Sequence, residues 1–452
     1  MSKRQAAKQW TDEEFAGLDL GDARLNKRAK KLMETFSAKP TASIPDACDS
    51  WTETHAAYRF LSNPDVTWEG ILAPHWTRTL ERMRAHRVVL CIQDTTELDF
   101  NGRDIAGLGP LNYEARRGMY LHPTYVVSPE REPLGLLDGW MWAREPRGAD
   151  GQRPAGVKES QRWVEGYERV AEQAAQLPGT RLVYLADREA DMMEMMRRAH
   201  QLGTPADWLV RAKHDRCLAD GEGKRLWAET TAATALGEIR FIMDGRGAHK
   251  AREVRQQLWA KRVVLRDGKK GTIEATCVVA REVGAPAGVK PVEWRLLTNR
   301  HAETLAQACE LIDWYRARWE VEIYFNVIKN GCEVEEMQLS AMDRLERALA
   351  LFMVVAWRIT HLMRKGRTCP DLDAALFFDS DEIQAAYVLS KQLPPPAPRL
   401  NEVLRMVARA GGFLARKHDG EPGVKTIWRG LHDVYVSAQT IRTLRQMGMI
   451  SR

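Results

Sequence analysis

A chain of 452 residues with 44% apolar content has material for two or three folded domains and a sizeable core, which excludes a disordered or fibrous protein. Its 67 basic and 61 acidic residues leave a formal charge of +6, which permits a nucleic-acid partner without demanding one. Seven scattered cysteines with no CxxC spacing argue against a disulfide framework or a zinc site and for a reducing compartment, so a cytoplasmic protein is expected.

The opening residues, 1–15, lack the apolar stretch of a signal peptide. Residues 1 to about 70 read as helical and self-contained. One short helical run there gathers Arg24, Lys27, Arg28, Lys30 and Lys31. Such a run is either a solvated face or a helix laid along phosphates. Pro40 and Pro45 break the chain, and a second helix is predicted over 49–61. Residues 86–94 are a short apolar run ending in Asp94, read as a buried strand. Strands are predicted at 120–127 and 133–142, and a helix at 158–177. A second apolar strand, 181–187, ends in Asp187, and a helix is predicted at 188–201. This alternation predicts an α/β fold with a mixed sheet flanked by helices. Residues 215–290 hold short β-forming segments between glycine-rich turns, read as a strand-rich insertion. A strand at 293–299 precedes a long helix over 302–330 and another over 341–365. The apolar stretch 348–357 is too short to span a bilayer. A proline-rich turn at 393–398 leads to helical residues 399–449.

Two apolar strands that each end in an aspartate bring Asp94 and Asp187 together if they lie side by side. Paired carboxylates repel, and a hard divalent cation relieves that repulsion. The plainer reading is that each aspartate only starts a turn. On the long helix, Tyr315, Arg318, Glu322 and Lys329 fall within about 60° of one another at about 100° per residue. Glu320 falls off that stripe. An Arg318–Glu322 ladder explains the charge pairing alone. A metal and a phosphate would explain why the stripe sits among Trp314, Trp319, Ile323 and Phe325.

With these residues the chain resembles the Tn-five class of bacterial cut-and-paste transposases (insertion-sequence family four). The resemblance rests on Gln93-Asp94-Thr95-Thr96, on Asp187-Arg188-Glu189-Ala190-Asp191, and on Tyr315-x2-Arg318-x3-Glu322-x6-Lys329. Ala57-Tyr58-Arg59-Phe60, Trp294-Arg295-Leu296-Leu297-Thr298 and Gly411-Gly412-Phe413 extend it along most of the chain. It implies a ribonuclease-H-like catalytic core with a β-rich insertion, flanked by N-terminal and C-terminal helical domains. The expected boundaries are 1–70 for DNA-end binding, 71–368 for catalysis with the insertion at about 215–300, and 369–452 for dimerisation. Asp94, Asp187 and Glu322 would be the metal-binding catalytic triad, holding two Mg2+ ions, with Mn2+ as a substitute. Tyr315, Arg318, Lys329, Arg211 and Lys213 would contact DNA phosphates. Trp294 and Trp319 would take up a flipped base. Arg24, Lys27, Arg28, Lys30, Lys31, Lys39 and Arg59 would bind the transposon end. A homodimer in a synaptic complex with double-stranded DNA, at the bacterial nucleoid, would cut through a hairpin and join the 3′ ends to target DNA. The alternatives are a metal-dependent nuclease of the same fold and a non-catalytic inhibitor of transposition.

Overall fold

Val88–Gln93 forms strand β1, in which Leu90 and Ile92 join one apolar cluster while Val89 and Cys91 join another. A strand apolar on both faces belongs in the middle of a covered sheet. The computed structural model, which describes residues 10–48, 50–148, 158–219, 221, 223–243, 252–416 and 419–450, places it there. The other strands are β2 (Thr96–Asp99), β3 (Gly109–Pro110), β4 (Arg117–Val127), β5 (Pro133–Trp142), β6 (Arg181–Ala186) and β7 (Asp207–Arg211). After them come β8 (Gly237–Met243), β9 (Arg252–Arg266), β10 (Thr272–Glu282) and β11 (Glu293–Thr298). The five strands β5-β4-β1-β6-β7 lie in that order, with β5, β4 and β1 antiparallel and β1, β6 and β7 parallel. The protein is a mixed α/β structure with one large sheet.

The β-rich segment does not stand apart from this sheet. Strand β11 pairs with β7 through Leu296–Arg211, and β10, β9 and β8 continue the same sheet outward. The segment expected as a β-rich insertion thus continues the central sheet, with the edge of β7 satisfied by β11. The segment also holds a helix, Leu226–Ala232, that the β-forming composition did not announce.

The helices, in chain order, are α1 (Ala23–Ala38), α2 (Trp51–Leu61), α3 (Trp68–Met83), α4 (Gln161–Gln176), α5 (Met193–Gln201) and α6 (Leu226–Ala232). They continue with α7 (Leu305–Ala317), α8 (Trp319–Asn326), α9 (Met342–Thr368), α10 (Ser380–Leu389), α11 (Leu400–Ala410) and α12 (Val424–Gln446). Helices α4 and α5 cover one face of the sheet, and α3, α8 and α9 pack on the other. The predicted helix at 188–201 begins as a single tight turn, Arg188–Ala190, capped by Asp187, and becomes α-helical only at Met193. Gly430 on α12 lies so close to α11 that a Cβ there would come 1.7 Å from the Val407 carbonyl oxygen. Gly411, at the end of α11, meets the Thr426 carbonyl in the same crossing at 2.0 Å. The Gly411-Gly412 of the sequence thus marks a backbone-to-backbone contact, which explains why no larger residue fits.

The N-terminal helices are not self-contained. Phe36 stacks on Phe352 of α9 with centroids 4.8 Å apart, and Arg347 of α9 donates to the Leu61 carbonyl at 2.9 Å. Side chains of α1, α2 and α9 belong to one apolar cluster that reaches as far as Trp428. Some sixty residues bury too little surface to make a robust core alone, so they borrow the long helix. Glu346 on α9 faces Glu69 of α3. Burial, then the charges of Glu69 and Asp343, push its carboxyl up to about 7 from the ordinary value of 4.5. The folded state keeps that proton at pH values where the unfolded chain releases it. Stability is thus lost as pH rises through that window. Glu346→Gln is expected to melt higher than the parent at about pH 8 and equally at about pH 5, as read by thermal denaturation.

Candidate active site

Strands β1 and β2 pair with β4 in one unbroken register, Gln93 opposite Thr124 and Thr96 opposite Leu121. Asp94 and Thr95 therefore fall opposite Pro123 and His122. Pro123 has no N–H to donate across the ladder, and the pairing lapses there. On its other side β1 runs parallel to β6, with Gln93 opposite Ala186. Asp94 and Asp187 each follow that last pair, so they stand on adjacent strand ends, on backbones about 4.8 Å apart.

Buried polar groups brace this arrangement. The Thr95 N–H donates to Asp94 Oδ1 at 2.9 Å, and the Thr95 hydroxyl meets His122 Nδ1 at 2.6 Å. Burial pushes the His122 imidazole down to about 3, so it is neutral at physiological pH. The Tyr184 hydroxyl donates to Gln93 Oε1 at 2.6 Å and ties the two acid-bearing strands together. Gly166 of α4 makes room for that amide, since a Cβ there would lie 1.8 Å from Gln93 Nε2. The Asp187 carboxylate accepts from the Glu189 N–H at 2.6 Å, so it does start a turn as well as face Asp94.

Asp191, the last residue of the Asp187 motif, has no role assigned by the sequence pattern. It is fully buried, accepts the N–H groups of Lys213 and His214 at 2.6 and 3.0 Å, and pairs with Arg216 at 2.6 Å. It fastens the segment that leaves β7, where Arg211 and Lys213 are exposed, to the loop of Asp187. Its only signal in the sequence was its place four residues beyond Asp187.

The glutamate comes from a different part of the chain. The predicted helix over 302–330 is divided: α7 ends at Ala317, α8 runs from Trp319, and Val327–Gly331 is wound as a π-turn. Arg318 sits at the first break, 11% exposed, with its Nη1 in a short ion pair with Asp94 Oδ2 and 3.6 Å from Glu322 Oε1. Arg318 therefore links the strand-end acid to the helix acid. Tyr315 is buried beside Arg318, with Arg211 and Asp187 also acting on its phenol. Glu320 points inward and pairs with Arg364, leaving Glu322 as the acid that faces the strand ends.

Lys329 departs from the expected stripe. The π-turn rephases the helix, and Lys329 pairs at 3.8 Å with Glu335 in an open cavity of about 500 Å³ shared with Glu97, Asp99 and Arg116. Trp319 is half exposed, 5.5 Å from the Arg318 guanidinium. Trp294 is partly buried, with one ring face covered by Phe241 at 5.9 Å. Several N-terminal cations already have partners. Arg24 pairs with Asp22, Arg28 with Glu53 and Lys30 with Asp12. Lys39 donates to the carbonyls of Asp46 and Ala47. Lys27 and Arg59 are exposed, and Lys31 is half-buried.

Burial is the strongest influence on Asp94 and raises its carboxyl to about 7; Arg318 opposes the rise, and Asp187 and Glu322 add to it. Three carboxylates that repel in a sheltered place suit a hard divalent cation. Among the described residues, no three acidic, histidine or cysteine side chains are gathered closely enough to hold one as they stand. The donor types fit the group, and the Arg318 guanidinium lies between two of them.

Residues 7–66 match the family described as Transposase DNA-binding, and residues 354–449 match the Transposase Tn5 dimerisation domain. These two matches, at opposite ends of the chain, support a Tn5-class transposase. A solved structure described as a cryo-EM structure of the piggyBac transposase synaptic complex with hairpin DNA is also similar. That likeness has 9% identity, 98% coverage of this chain, 80% coverage of the other and a TM-score of 0.38, too loose to carry an argument. The transposase thus has its DNA-binding match on α1 and α2 and its dimerisation match from within α9 onward, with the acids of the candidate site in between. No described helix is long and apolar enough to cross a membrane.

Proposed function

We infer that this transposase binds the ends of its element as a homodimer, cuts them through a DNA hairpin and joins the 3′ ends to target DNA at Asp94, Asp187 and Glu322. The observation that carries the reading is the meeting of these acids: two on adjacent parallel strand ends and one linked to them by Arg318. The strand order β5-β4-β1-β6-β7 supports a ribonuclease-H-like core, with its acids at the end of the first strand and on the adjacent parallel one. Asp94, Asp187 and Glu322 would hold two Mg2+ ions, with Mn2+ as a substitute, which when bound activate the attacking oxygen and stabilise the leaving one.

The chain's own residues do the rest. Arg211, Lys213 and Arg318 grip phosphate oxygens around the Asp187 loop and offset charge as it develops. Tyr315 lines the same floor. Lys329 reaches a phosphate by leaving Glu335. The half-exposed Trp319 ring and the partly buried Trp294 ring would take up a base turned out of the duplex. Lys27, Lys31 and Arg59 are the end-binding cations for which no ion pair is found among the described residues. The end-binding domain is expected within about residues 1–70 and the dimerising helices within 369–452. Incubating the protein with DNA carrying the element's ends is expected to give hairpin-ended fragments followed by strand-transfer products. Open-ended linear cuts alone would reduce the protein to a nuclease.

A further inference from the structure

We propose that Arg318 occupies the cation seat of the DNA-free transposase, so that metal enters the site only as DNA draws the arginine away. The proposal rests on the reading of Asp94, Asp187 and Glu322 as metal ligands and adds a control over when they become available.

Four observations carry it. The Arg318 guanidinium touches Asp94 and lies 3.6 Å from Glu322, the two acids that come from distant parts of the chain. Its side chain is 11% exposed, so it is packed into the site rather than draped over it. Its Nε is buried with no hydrogen-bond partner, so the carboxylates satisfy only part of its donor fork. With the arginine in this position, no three candidate ligands among the described residues gather around a common point.

The charges lead to the same place. With all three acids ionised, one guanidinium leaves the site with two net negative charges. A divalent cation seated between Asp94 and Glu322 would displace the guanidinium from both acids and repel it at close range. In the free protein that guanidinium has nowhere equally good to go, because removing a sheltered charge from its partner is costly. A DNA phosphate supplies the missing acceptor, and guanidinium binds phosphate in a two-pronged fashion that would also engage the idle Nε. The exchange is a swap of partners: arginine from carboxylates to phosphate, carboxylates from arginine to metal. Metal and DNA must then strengthen each other's binding by the same factor. Away from DNA the protein would stay metal-poor at this site.

The test is Mn2+ binding to the full-length protein, followed by electron paramagnetic resonance, with and without a short DNA duplex carrying the element's end. The parent protein is expected to bind Mn2+ weakly alone and at least about tenfold more tightly with DNA. Arg318→Gln is expected to bind Mn2+ without DNA at least about tenfold more tightly than the parent, and to lose most of the gain on adding DNA. Its melting temperature should also rise with Mn2+ more than the parent's. Should Arg318→Gln fail to fold, Arg318→Lys is expected to show a smaller gain of the same sign. Equal or weaker Mn2+ binding by these variants, with the parent still responding to DNA, would overturn the proposal and leave the metal site standing. Asp94→Asn separates the two ideas. If it leaves Mn2+ binding with DNA unchanged, or if no form of the protein binds Mn2+, the acids are not metal ligands and both readings fall.

Discussion

Asp94→Asn is expected to lower DNA cleavage by about 10³-fold or more, equivalent to about 4 kcal/mol of barrier, while leaving binding of a single DNA end unchanged. The amide keeps the shape of the carboxylate and can still accept the Thr95 N–H that holds Asp94 in place. It loses the negative charge that pairs with Arg318 and that a divalent cation would use. The substitution does not touch residues 7–66, which match the transposase DNA-binding family. Cleavage of end-bearing DNA and gel retardation, run on the same preparation, separate the two effects. Cleavage at the parental rate would place the chemistry elsewhere in the protein.

Gly430→Leu is expected to cost about 3 kcal/mol or more and to abolish paired-end complexes. Any side chain at 430 meets the Val407 carbonyl at less than van der Waals distance, so α11 and α12 must part. Neither helix can give way cheaply, because Gly411 opposes Thr426 in the same crossing. Both helices lie in the segment that matches the Tn5 dimerisation domain. Chemical denaturation reads the stability, and gel retardation distinguishes single-end from paired-end complexes. Paired complexes formed at normal strength would show that this crossing does not support dimerisation.

The strands that carry the aspartates were legible because a short apolar run closed by an acid is a local pattern, and both runs are buried on two faces as such runs demand. Glu322 was legible through its spacing from Tyr315 and Arg318, since three- and four-residue steps share a helix face. What followed was not. The break at Arg318 and the π-turn after Asn326 carry no proline or glycine ahead of them, so nothing local forecast that Lys329 would turn toward Glu335. Nor does local pattern say which strand fills an edge, and the pairing of β11 with β7 joined a supposed insertion to the central sheet. The partners of Asp191 lie more than twenty residues away, and Glu53 lies 25 residues from Arg28. Such contacts exist only once the chain has folded.

The sharing of α9 among the parts of the molecule bears on how the protein comes undone. Phe352 holds α1, Arg347 holds the end of α2, Tyr324 of α8 donates to the Met353 carbonyl, and Met363 belongs to the cluster that unites α10 to α12. When a single helix contributes to every apolar cluster on its side of the sheet, melting that helix exposes all of them together. Heating is therefore expected to produce one cooperative transition with a large heat-capacity change, rather than a staircase of separate domain meltings. A loss suffered in α1 or α2 would then be felt as reduced persistence of the candidate site, even where no atom of that site has moved.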